Sequence, residues 1–305
     1  MGLNQGWTYR EQVVPAAEHQ TVLDYYSQRY RHSIRQEWQE RIEAGQILLD
    51  QRPTCPEARL RAGQWLIYQR PPWEEPIVPL DFSLLYEDPE VLVVAKPSGL
   101  PVLPGGGFLQ HTLLGQLQQR YPEETPIPIH RLGRGTSGLV LLARTRAARA
   151  WFSQQMRDRQ IQKTYRALAQ GIVLQDELIL TQAIGKIEHP VLGHLYAACE
   201  GGLPAYSQGR VLQRHRATTL MEVDILTGRP HQIRIHLASA GHPLVGDPLY
   251  GIGGIPCQVL PLADGSLPVP GDCGYHLHAM ALKATHPNGQ TLQVVCPPPP
   301  ELEEN

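Results

Sequence analysis

Three stretches hold side chains whose type and spacing suit work on an anion. HRLGRGTSGLVLLART (residues 130–145) sets Arg131 and Arg134 among glycines ahead of an apolar run, QKTYRALAQG carries Tyr165, and TGRPHQIRIHLASAG carries Arg229, His231 and Arg234. A guanidinium can grip a phosphate or carboxylate through two parallel hydrogen bonds, so the arginines are expected to hold an anionic partner. The centre of the first loop is Gly133, which supplies no acid, base or nucleophile.

Other templates fit poorly. GRGTSG lacks the lysine and the glycine spacing of a phosphate-binding P-loop. GTSGL has no glycine two places after Ser137, which excludes a nucleophile elbow. His231 and His236 lie five apart, about 140° around a helix, and so do not chelate one ion. His276 and His278 share a strand face near Cys273 but lack a closing ligand, and are read as structural; no metal is expected.

The 305 residues carry a net charge of −2, which averages over segments of opposite sign. From His130 to Arg166 nine Lys and Arg residues face the single acid Asp158, and this excess expects an anionic partner. Acids gather at Asp81 to Glu90, at Glu123 and Glu124, and at Glu301, Glu303 and Glu304. Five scattered cysteines, Cys55, Cys199, Cys257, Cys273 and Cys296, without a Cys-x-x-Cys pair, point to a reduced, cytoplasmic setting. No apolar run reaches the roughly 18 residues of a membrane span, and the start MGLNQGWTYR is too polar for a signal peptide. Gly6 breaks the myristoylation pattern.

The elements that must position these groups follow from periodicity. SIRQEWQERIEAG predicts a helix with a capping box of Ser33 and Gln36, a shared face of Ile34, Trp38 and Ile42, and a stop at Gly45. QILLD and LRAGQWLIYQ follow as strands. Arg31, Arg35, Arg41, Arg52, Arg59, Arg61 and Arg70 make this small unit a candidate nucleic-acid-binding module, and it resembles the alpha-L RNA-binding fold. The expected division is an N-terminal extension at 1–29, this module at 30–72, a proline-rich linker at 73–80, a main domain at 81–297 and a tail at 298–305.

In the main domain FSLLYEDPEVLVVAKPSG predicts two strands around an Asp-Pro turn, and HTLLGQLQQRY a short helix. GLVLLART predicts a buried strand. RAARAWFSQQMRDR predicts a helix whose core face is Ala148, Trp151, Phe152 and Met156. IQKTYRALAQG predicts a strand beside GLVLLART, and TTLMEVDILTG another. RPHQIRIHLASAG predicts a helix closed by Gly241, and the last hairpin turns at Asn288-Gly289. The expected fold is α+β: a mixed, mainly antiparallel sheet with packed helices, plus the small N-terminal α/β domain.

Taken together, LLYEDPEVLVVAKPSGLPVLPGGG, IHRLGRGTSGLVLLART, QKTYRALAQG and LTGRPHQIRIHLASAGHPLVGDPLYG resemble, in order, the successive motifs of the RluA-like pseudouridine synthases. The resemblance covers roughly residues 80–296 and implies an enzyme that isomerises uridine in a structured RNA, rRNA or tRNA, with no cofactor; a monomer is expected. It implies that Tyr165 packs under the base and helps remove the C5 proton, that Arg234 pairs with the family's Asp, and that Arg131, Arg134, Arg229 and His231 seat the RNA.

That Asp belongs at the fourth position of His-Arg-Leu-Asp, where this chain has Gly133. Two readings stay open. In one, the chain is a synthase that draws a carboxylate from Asp88, Asp224 or Asp247. In the other, it is a catalytically silent RNA-binding relative such as an RNA-folding factor. A purely structural subunit is a third reading, disfavoured by the intact basic loop.

Overall fold

A computed structural model of the chain describes residues 2–30, 33–189, 193–256 and 273–304, so Arg31 and Cys257 lie outside the described residues. The chain divides into two compact units, 1–75 and 76–305.

In the first unit β1 (Trp7–Gln12) leads through α1 (Val22–Arg29) and α2 (Arg35–Glu43) to β2 (Ile47–Leu49), β3 (Arg52–Pro53) and β4 (Trp65–Arg70), with sheet order β1-β4-β2-β3. The stretch 1–29, expected as an extension, therefore supplies a strand and a helix of this unit. Tyr25, Tyr26, Trp38 and Tyr68 fill its core.

The cap of α2 sits one residue later than the spacing suggests. The Ile34 N–H donates to Glu37 Oε2 at 3.1 Å, while Ser33 Oγ accepts from Arg41. Trp38 and Ile42 are buried as expected, but Ile34 is exposed. Gly45 ends the helix with φ at +71°, a left-handed geometry that glycine adopts without strain.

The second unit runs β5 (Ser83–Glu87), β6 (Val91–Lys96), α3 (Leu113–Arg120), β7 (Ile127–Pro128), β8 (Ser137–Ala143), α4 (Arg146–Arg157) and β9 (Gln162–Gln170). β10 (Glu177–Leu180), β11 (Ile184–His189), β12 (Gly193–Ala198), β13 (Ser207–Arg214) and β14 (Thr218–Ile225) follow. Then come α5 (Gln232–Ser239), β15 (Leu277–Thr285) and β16 (Thr291–Val295).

Among the described residues the large sheet has the order β10-β13-β14-β9-β15-β8-β6-β5, with β16 on β15 and β7 on β8. Its pairings are antiparallel except β15 with β8. The class is α+β with a mixed, mainly antiparallel sheet.

Two expectations need correction. The Tyr165 strand β9 is not beside β8, because β15 lies between them. On α4, Ala148 and Phe152 are buried, but Trp151 stays exposed with its Nε1–H donating to Thr285 O, and Gln155 takes the inner position. An amide that bonds both backbone groups of Thr285 meets the polar strand end that an indole only covers.

The expected tail is docked over 298–304: Leu302 is buried and Glu304 pairs with Arg166 at 2.7 Å. None of the described helices is long and apolar enough to cross a membrane.

Candidate active site

The basic loop is held from below by the segment after β6. Lys96 is buried at 1% exposure, and its ammonium donates to the carbonyls of Pro97, Leu100 and Arg134 at 2.8, 2.8 and 3.2 Å. Gly99 N–H donates to Arg134 O at 2.8 Å and Ser98 Oγ to Gly135 O at 2.7 Å. His130 Nε2 accepts the Leu141 N–H at 3.1 Å and ties the other arm of the loop to β8. Burial pushes Lys96 down to about 7, and burial with Lys163 nearby pushes His130 to about 3. The loop is thus fixed by its backbone; Arg131 is exposed, and Arg134 leans over the Phe108 ring at 5.4 Å.

Gly133 is not a backbone requirement, since its φ is not positive. Space explains it instead. A Cβ there would stand 2.7 Å from the Tyr275 hydroxyl and 3.5 Å from Thr136 Oγ1, and a Cβ on Gly135 would stand 2.9 Å from Tyr275 Cε1. The Tyr275 ring, 5% exposed, fills the room that side chains at 133 and 135 would use, and its hydroxyl bonds Thr136 Oγ1 at 3.2 Å.

Arg234 lies over the Tyr275 ring at 4.2 Å and over Tyr250 at 4.9 Å. It does not lack an anion: Nε and Nη2 donate to the two oxygens of Asp247, each at 2.7 Å, in a pair almost wholly buried. Burial opposes the charge on Arg234, but the bonds to Asp247 outweigh it and hold the guanidinium above its ordinary pKa.

Asp247 therefore satisfies Arg234 but is not free for chemistry, because Oδ1 also accepts the N–H groups of Leu249 and Tyr250. Asp88 sits in the β5–β6 turn, bonded by Tyr86 and by the N–H groups of Glu90 and Val91. Val91 pairs with Ala143, at the end of β8 opposite to the loop. Asp224 is exposed, accepts from Thr164 at 2.6 Å, and follows Val223, the residue opposite Tyr165, so it points to the other face of the sheet. None of the three replaces a carboxylate at position 133.

Tyr165 is central in β9, opposite Val223 on one side and Ala279 on the other. Ala279 in turn pairs with Gly138, so one row across three strands links Tyr165 to the strand that the basic loop enters. Gly138 has φ +103, and a Cβ there would run into the Ala279 carbonyl. Glycine at this place lets β8 and β15 close up.

The tyrosine is 7% exposed, and burial raises its phenol pKa so that it stays protonated near neutrality. Lys163 shares its face of β9 two residues earlier, with burial lowering its pKa, and its ammonium lies 3.8 Å from the Cβ position of Gly228. That contact brings the TGRPHQIR segment onto the Tyr165 strand.

Within that segment Gln232 accepts from Thr227 and from the Arg229 N–H and donates to Tyr206 O and Ser207 Oγ, which fixes the turn into α5. Arg229 Nε donates to Pro204 O at 3.0 Å. His231 caps α5 in the left-handed region, φ 55 and ψ 23, with its ring against Tyr250.

The structure therefore joins Gly133, Arg234 and His231 through Tyr275 and Tyr250. Tyr275, Lys96 and Lys163 carry no mark in the sequence, because no spacing singles them out. His236 is committed to Ser207 Oγ and Gln182 O, and His278 to Ser137 Oγ and Cys296 O. A cavity of about 590 Å³ touches Lys96, Gly135, Ser137 and Tyr275, but its lining includes none of Tyr165, His231 or Arg234.

The sequence profile described as RNA pseudouridylate synthase matches residues 90–239. An uncharacterized RNA pseudouridine synthase of Synechocystis sp. is 50% identical over 92% of this chain and 95% of its own. RNA pseudouridine synthase 5 of Arabidopsis thaliana is 40% identical over 99% and 95%. Ribosomal large subunit pseudouridine synthase D of Neisseria meningitidis is 36% identical over 86% of this chain and 71% of its own.

The solved structure of human RNA pseudouridylate synthase domain containing 1 superposes with a TM-score of 0.58 at 26% identity, over 75% of this chain and 89% of that one. The chain belongs to the RNA pseudouridine synthase family.

Proposed function

We propose that the protein isomerises uridine to pseudouridine in a structured RNA, rRNA or tRNA, in the cytoplasm, as a monomer and without a cofactor. The reading is supported by one observation: the chain is half identical over nearly its full length to a relative named as an RNA pseudouridine synthase, and one sheet carries both Tyr165 and the strand that the basic loop enters.

The reaction breaks the bond between ribose C1′ and uracil N1, turns the base, joins C1′ to C5 and releases the C5 proton. The nucleotide must first leave its helix, at a cost of a few kcal/mol, and phosphate-gripping arginines offset that cost. Arg131, Arg134 and Arg229 take that role with His231 beside them. Tyr165 packs under the base and helps remove the C5 proton. Arg234 is a positioning residue: locked to Asp247, it carries the Tyr275 ring that shapes the floor beneath Gly133. The unit 1–75, with Arg35, Arg41, Arg52, Arg59, Arg61 and Arg70, adds a second RNA contact.

A second reading, a silent RNA-binding relative, is favoured by the Tyr275 hydroxyl standing where a side chain at 133 would go. Mapping pseudouridines in RNA from cells with and without the gene separates the two: a site lost on deletion supports the synthase, and an unchanged map supports the relative.

A further inference from the structure

We infer, on the synthase reading above, that the Nε2 nitrogen of His231 is the base that opens the reaction on the ribose, doing the work of the carboxylate that Gly133 lacks. The hydrogen bonds fix its tautomer. Tyr250 Oη donates its single proton to Tyr196 O at 2.7 Å, so its 2.8 Å contact with His231 Nδ1 has the imidazole as donor. Nδ1 therefore carries the hydrogen and Nε2 a lone pair. Nε2 makes no hydrogen bond among the described residues, and it is not one of the buried polar atoms without a partner.

The backbone supplies an independent sign. His231 stands at φ 55, a left-handed geometry uncommon outside glycine, and such a geometry persists where the surroundings over-determine it, as at reactive sites. Here the Tyr250 bond and the α5 start hold it. The ring reaches the basic loop in two ways: it feels the charge of Arg131, and it connects through Tyr250, Arg234 and Tyr275 to Gly133.

The groups that face it are Arg234, Asp247, Arg131 and Tyr250. Burial first, then Arg234 and Arg131 against the opposing Asp247, set its pKa at about 4. It is therefore neutral at physiological pH, and its basicity matches that of an aspartate, about 3.9.

Nε2 takes the C2′ proton, the C2′–H electron pair becomes the C1′=C2′ bond, and the C1′–N1 pair leaves on the uracil as an anion near Arg131. After the base turns, C5 attacks C1′, and the C1′=C2′ pair recovers the proton from Nε2–H. The C5 proton is then lost while N1 gains one.

The test uses the full chain and RNA from gene-deleted cells grown on 5-tritiated uridine, with tritium release as the readout. His231→Asn is the primary variant. The Asn amide can still donate to Tyr250, and Asn tolerates the left-handed backbone, but it offers no basic nitrogen. We expect release at saturating RNA to fall about 100-fold or more, the usual worth of a general base, with Tm unchanged. His231→Ala should be inactive and recover release with added imidazole, which a purely structural role would not give. Release within a few-fold of the natural chain in His231→Asn, or no imidazole recovery in a folded His231→Ala, overturns the inference while leaving the synthase reading intact. No release by the natural chain overturns both.

Discussion

The hydroxyl of Tyr275 stands 2.7 Å from the point a Cβ on Gly133 would occupy, so these two residues share a single volume. Glycine there is a packing partner of a tyrosine, and not a hinge.

Gly133→Ala is therefore expected to lower stability by about 1–3 kcal/mol, the usual cost of overpacking. Tyr275→Phe removes the obstructing oxygen, and the double variant should recover most of the loss. Denaturant melts of the four chains in a double-mutant cycle check this. Additive effects would mean that the two residues do not meet. For the same reason Gly133→Asp alone should not install a useful carboxylate: Arg234 is already satisfied by Asp247.

That pair yields a second expectation. Asp247→Ala leaves a buried guanidinium unpaired and should cost about 3–5 kcal/mol, while the combined Arg234→Met, Asp247→Leu chain should cost much less. Urea unfolding midpoints with unchanged slope decide the matter.

How much of this is legible in the sequence differs by element. β9 and β8 can be placed from alternation and from an apolar run, and the Asn288-Gly289 turn from its residues. The Tyr275–Gly133 contact spans most of the main domain in sequence, and no local period carries such information. The pairing of Arg234 with Asp247 stays open among three acids until the fold places them. The β11–β12 pair escapes a sequence reading, since its alternation is weak and its strands form a separate two-stranded sheet.

Lys96 gives a pH prediction. Its folded pKa is depressed from 10.5 to about 7 by burial, so between those values the unfolded chain holds a proton that the folded chain does not. Stability from this group must then rise with pH from about 7 to 10.5, by at most about 1.4 kcal/mol per unit. Lys96→Met should lose that slope when the two chains are melted side by side at pH 6, 8 and 9. Parallel curves would show that the ammonium is not buried.

RNA affinity is expected to fall steeply with salt. Replacing Arg131, Arg134 and Arg229 by Ala should flatten the log–log slope by roughly 0.9 for each duplex phosphate that is no longer neutralised. Arg131, exposed, should account for more of this than Arg229, whose Nε is engaged with Pro204. Filter binding at several salt concentrations measures it, and a slope unchanged in the triple variant would remove the loop from the RNA interface.

The most direct measurement of the central claim is a pseudouridine map of total RNA from four strains: natural, gene-deleted, and deleted strains carrying either the natural gene or Tyr165→Phe. The account predicts at least one site lost on deletion, restored by the natural gene, and not restored by Tyr165→Phe although that protein is folded and binds RNA. Identical maps in natural and deleted strains, or full restoration by Tyr165→Phe, would contradict it.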